Sequence, residues 1–140
     1  MATVLSNKAQ PGVSPKFLPS GVIAVCASYT FGSAPSLNDL VQMMKIPAGA
    51  TVIDMILDSD DLDSNGTPTM KFDVGDATTA ARFIAASTVP QAGGVVHTGV
   101  AAGTAYQYSA DTWINVKVNT AAATFQTGTV RLTALYTMDP

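Results

Sequence analysis

A chain of 140 residues is the size of a single domain, and it can bury roughly two thirds of its unfolded surface without help from disulfides or metals. A net charge of −3 with seven scattered basic residues excludes a phosphate-backbone binder. The single cysteine, Cys26, excludes an internal disulfide and fits folding in a reducing cytosol. The opening "MATVLSNKAQPG" lacks the apolar stretch of a signal peptide, and nowhere do about 18 apolar residues run together, so no membrane partner is expected.

Charged residues make up only 12% of the chain and hydrophobic ones 47%, which suggests a surface largely covered by other protein. All ten acids are aspartate. The absence of glutamate, a good helix former, beside abundant threonine and valine inclines the chain to strands.

Residues 1–20 read as an extended arm, because Pro11, Pro15 and Pro19 remove backbone donors that a sheet would need. Val13, Phe17 and Leu18 are its candidate anchors on a neighbouring subunit. The β-sandwich domain is expected over residues 21–140. "VIAVCASYTF" (22–31) alternates, with Ile23, Val25, Ala27, Tyr29 and Phe31 on one face. "LNDLVQMMKIP" (37–47) carries both helical and alternating spacings and reads as a strand over 40–46. "PAGA" (47–50) is a tight turn with Gly49 free to take positive φ.

In "TVIDMILDSDD" (51–61), Thr51, Ile53, Met55 and Leu57 point one way and Val52, Asp54, Ile56 and Asp58 the other. "TMKFDVG" (69–75) places Met70, Phe72 and Val74 inward, with Lys71 and Asp73 outward. "ARFIAAST" (81–88) is a strand or a helical turn, and "GGVVHTGV" (93–100) a strand or a loop. "TAYQYSA" (104–110), "TWINVKVNT" (112–120) and "GTVRLTALYTM" (128–138) alternate again. Eight or nine short strands at this spacing predict an all-β antiparallel β-sandwich, most simply a jelly roll.

"DLDSNGTPTMKF" (61–72) begins like a calcium loop, with Asp61, Asp63, Asn65 and Gly66 in place. Position 12 is Phe72 where a bidentate glutamate is needed, position 8 is Pro68, and the flanks are strands. Asn65-Gly66 between alternating segments is instead a hairpin signal, with the aspartates capping a solvated tip. His97, the one histidine, has no nucleophile motif near it and reads as structural or superficial. Cys26 reads as a small buried hydrophobe. Trp113, Tyr106 and Tyr108 could form a sugar platform but on alternating strands are expected as packing. No catalytic, cofactor or metal residues are assigned.

The stretch 46–94, with "VIAVCASYTF" (22–31), "LNDLVQMMKIPAGATVIDMIL" (37–57), "FDVGD" (72–76) and "GTVRLTALYTMD" (128–139), resembles small virion proteins of tailed bacteriophages. These are capsid decoration or cement proteins. The resemblance spans roughly residues 22–139 and contains no chemical motif. It implies a non-enzymatic protein on the capsid surface, made in the host cytoplasm, with the major capsid protein as partner and a homotrimer as the favoured oligomer. A head–tail, tail or fibre-base protein and a carbohydrate- or receptor-binding β module are the alternatives.

Overall fold

The computed structural model of the protein describes residues 21–138. The expected arm, with Val13, Phe17 and Leu18, lies outside the described residues.

Among the described residues nine strands form: β1 (Val22–Phe31), β2 (Leu40–Ile46), β3 (Ala50–Ser59), β4 (Lys71–Gly75), β5 (Ile84–Ser87), β6 (Gly94–His97), β7 (Tyr106–Gln107), β8 (Thr112–Thr120) and β9 (Gly128–Met138). They make two antiparallel sheets. One has the order β1-β9-β3-β6, with β7 sharing the outer edge of β3; the other has the order β2-β8-β4-β5. The protein is thus the all-β sandwich that the alternating runs predict. β9 follows its alternation throughout: Val130, Leu132, Ala134 and Tyr136 are buried and the residues between them half-buried. The Pro47–Ala50 turn closes with the Ala50 N–H on the Pro47 carbonyl at 3.2 Å, and Gly49 has φ +86°.

Two bulges explain where simple alternation misassigns faces. In β2 the register shifts between Gln42 and Met44. The mixed spacing of this segment therefore reflects one strand whose inward set passes from Val41 and Met43 to Met44 and Ile46. In β3 the shift lies between Val52 and Asp54. Ala50 and Val52 face the core before it, Met55 and Leu57 after it, while Thr51 is half-buried and Ile53 is left exposed. An extra residue in one strand reverses the facing of everything beyond it.

Asp73, expected outward, is buried in β4, where it accepts the Ala86 N–H at 2.7 Å and hydrogen bonds from the Asn119 amide. Of the run 104–110 only Tyr106–Gln107 pairs as a strand.

The core between the sheets holds Phe72, Ile46, Met55, Leu57, Ile114 and Leu132, all without solvent exposure, and Phe72 stacks on Phe31 at 6.0 Å. Phe72→Ala should lower the unfolding free energy by about 4 kcal/mol, a cavity-forming loss. Trp113→Ala, at a side chain 45% exposed, should cost under about 1 kcal/mol. Urea unfolding of the two variants measures the contrast.

Candidate functional site

The Asp61–Met70 segment is not a hairpin. β3 is flanked by β9 on one side and by β6 and β7 on the other, so β4 enters the opposite sheet and the segment crosses between layers. Nor is Asp63 at a solvated tip: it is 1% exposed. Its Oδ2 accepts the N–H groups of Thr69 (2.8 Å), Met70 (3.1 Å) and Ala123 (2.9 Å), and its Oδ1 those of Thr124 (2.9 Å) and Asn65 (3.4 Å). Asp61 and Asn65 perform the local turn capping, accepting the N–H groups of Asp63 and Thr67.

Burial alone would raise the Asp63 pKa. The amides of Thr124, Thr69, Ala123 and Met70 outweigh it and hold the carboxyl well below the usual carboxylate range. Five N–H hydrogens point at the two oxygens, so a cation there would meet dipoles of its own sign. Among the described residues no three His, Cys, Asp or Glu side chains gather in a metal-holding group. Asp63 is a clamp joining the β3–β4 crossover to the loop ahead of β9.

A second buried carboxylate, Asp76, ties the loop after β4 to the segment holding β7. It accepts the Thr78 and Thr79 N–H groups, the Arg82 guanidinium and the Tyr108 hydroxyl at 2.7 Å. Burial works to raise its pKa, and the bonds from Arg82, Tyr108 and Thr79 bring it down. Burial and then the hydrogen bond to Asp76 push the Tyr108 phenol up. Arg82 lies 3.9 Å over the Tyr106 ring. Tyr106 is thereby covered and Tyr108 is core, so neither offers a sugar platform.

Trp113 stands on the outer face of the other sheet with Lys45 at 5.9 Å. His97 is exposed, paired with Asp54 at 2.6 Å, and forms no triad. Cys26 is exposed, against expectation. Its position in β1 points away from the core, where its Sγ lies 2.8 Å from Thr133 Oγ1. No sequence signal marks Asp63 or Asp76 as clamps, because several of their partners lie 32 to 61 residues away.

The exposed apolar side chains are unevenly placed. Val22, Ile23, Tyr29, Leu37 and Leu40, five of the eight large hydrophobic residues exposed among those described, lie on or between β1 and β2. These two strands are the edges of the two sheets on one side of the sandwich. A groove of about 220 Å³ opens there, lined by Tyr29, Phe31, Ser33, Asp39, Leu40 and Val41, polar and apolar groups together.

No protein-family model matches the sequence, and no curated protein matches it. Solved structures do. A chain in the capsid asymmetric unit of cyanophage Pam1 is 31% identical, with 99% of this chain and 100% of that chain covered and a TM-score of 0.84. A chain in the capsid of Ralstonia phage GP4 is 31% identical over 86% of this chain and 87% of that one, with a TM-score of 0.78. A chain in the acid-stable capsid of Helicobacter pylori bacteriophage KHP30 shares the fold, at 18% identity, 82% and 87% coverage and a TM-score of 0.58.

Asp63→Asn should lower stability at pH 7 by about 3 kcal/mol, since buried N–H groups lose a charged acceptor. Because the folded-state pKa of Asp63 is depressed, its contribution is full above the unfolded value and falls away below about pH 4. The gap between the two proteins should therefore narrow as urea unfolding is repeated toward pH 2.

Proposed function

Because the chain belongs to the family of phage capsid chains found in cyanophage Pam1 and Ralstonia phage GP4, we propose that this virion structural protein works as a cement. In this reading it binds the outside of the shell, on the major capsid protein, and strengthens contacts between capsomers without chemistry. The observation that carries the reading is the 31% identity, maintained over 99% of the chain, to a chain of a capsid asymmetric unit.

The physical character of the fold supports it. The strand order β1-β9-β3-β6 against β2-β8-β4-β5 supports reading the sandwich as a jelly roll with β7 as an addition. Such a module is rigid, carries few charges and presents its apolar side chains along one seam. The buried carboxylates are occupied in holding loops, which suits a part that bears load. A homotrimer is the favoured assembly, since several copies tied together bind several capsid subunits at once and weak contacts multiply. Val13, Phe17 and Leu18 in the segment ahead of β1 add apolar anchors on neighbouring subunits.

Purified protein mixed with expanded shells lacking it should co-sediment with them, decorate their exterior in micrographs and raise their melting temperature. Light scattering of the free protein should return the mass of three chains. Shells that take up none of the protein, or melt at the same temperature with and without it, would refute the cement role.

A further inference from the structure

We propose that Asn65-Gly66 is a gated modification site, which loses the Asn65 side-chain amide by cyclisation only when the β3–β4 crossover opens, with the Thr124 hydroxyl as a latch. The reaction needs no partner but water. The Gly66 nitrogen attacks Asn65 Cγ, the Cγ–Nδ2 bond breaks, and Nδ2 leaves as ammonia with the proton given up by Gly66. Water then opens the resulting succinimide to aspartate or isoaspartate, and nothing is oxidised or reduced.

Five asparagines occur in the chain, and Asn65 alone precedes a glycine. The others precede Lys8, Asp39, Val116 and Thr120, whose side chains crowd the attacking nitrogen. Glycine leaves that approach open and lets the backbone swing onto the side chain. Asn65 and Gly66 are both exposed, so water reaches them. The fold itself makes no demand for glycine here: Gly66 lies outside the left-handed region, and a Cβ on it would meet no atom within 4 Å. Reactivity and structure are therefore separable at this position.

The folded chain opposes the reaction first at the amide. Asn65 Oδ1 accepts the Thr67 N–H at 2.8 Å, and Nδ2 donates to Thr124 Oγ1 at 2.8 Å, on a loop 59 residues away. Attack on Cγ has to come from the face of the amide plane, so the amide must turn. Ammonia must also leave from the atom that Thr124 holds.

The backbone is pinned as well. The Asn65 N–H is bonded to Asp63 Oδ1, and those of Thr69 and Met70 to Asp63 Oδ2, so both ends of the stretch 65–69 are tied to one buried carboxylate. A succinimide ring at 65–66 fixes a backbone torsion within that stretch, and isoaspartate adds a methylene to it. Both changes pull against the fixed ends.

Full-length protein kept in mildly alkaline buffer, native or unfolded in urea, tests the gate by peptide mass and by separation of the isoaspartyl peptide. Asn65 should lose its amide at least about tenfold more slowly in the native chain. Thr124→Val keeps the backbone bond to Asp63, and should speed the native reaction about fivefold, the worth of one hydrogen bond, without changing the rate in urea. Gly66→Ala should match the parent in stability and slow the reaction in urea. Urea unfolding of each variant separates a lost latch from a lost fold. Equal rates in the native and unfolded parent overturn the gate, and an unchanged native rate in Thr124→Val overturns the latch. An unfolded parent that keeps its amide as long as Gly66→Ala does overturns the site.

Discussion

Two sheets stacked face to face leave two lateral seams that their own ladders cannot close, and the sandwich treats its two seams differently. On the side of β5, β6 and β7 the closure is thorough. The Phe83 carbonyl accepts the Gly99 and Val100 N–H groups, and Gly103 packs so tightly on Arg82 and Phe83 that a Cβ there would lie 2.3 Å from the Arg82 carbonyl oxygen. Asp76 fastens the loop after β4 to Tyr108 across the same region. On the β1 and β2 side no comparable bracing exists among the described residues, and the exposed apolar side chains collect there. The sandwich is braced along one flank and carries most of its exposed large apolar side chains along the other.

That asymmetry gives physical content to membership in a capsid family. Carboxylates that might suggest chemistry in the sequence are consumed by backbone amides and by Arg82, and the lone histidine is bound to Asp54 in the open. What remains available to a partner is surface: sheet edges, the exposed apolar side chains about β1 and β2, and the groove between them. Binding by such surfaces depends on area and on the number of simultaneous contacts rather than on any single strong group.

Much of the fold was legible in the sequence because inward residues repeat with period two wherever a strand is regular. β8 and β9 begin and end where their alternation does. Reading failed where one extra residue entered a strand, as in β2 and β3, since a bulge leaves no compositional mark and reverses the pattern after it. It failed differently at Asn65-Gly66. The turn residues were identified correctly, but a turn does not reveal whether the next strand returns to the same sheet or crosses to the other. Asp63 was read as a solvated cap for the same reason: the loop that buries it, at Ala123 and Thr124, is distant in sequence and carries no motif. The exposed placement of Cys26 was available from its even position in β1, and the general habit of cysteine obscured it.

The central position of β9 bears on how each copy is made. Of the described strands it leaves the ribosome last, yet it lies between β1 and β3, two of the first three. Until it emerges, the five-stranded sheet has no middle, and β1 has no partner among the strands already synthesised. Ladders between such distant segments form slowly and late. A nascent chain cut short before β9 could still form the ladders of β3 with β6 and β7, but it would leave β1 unpaired and the sheet split in two.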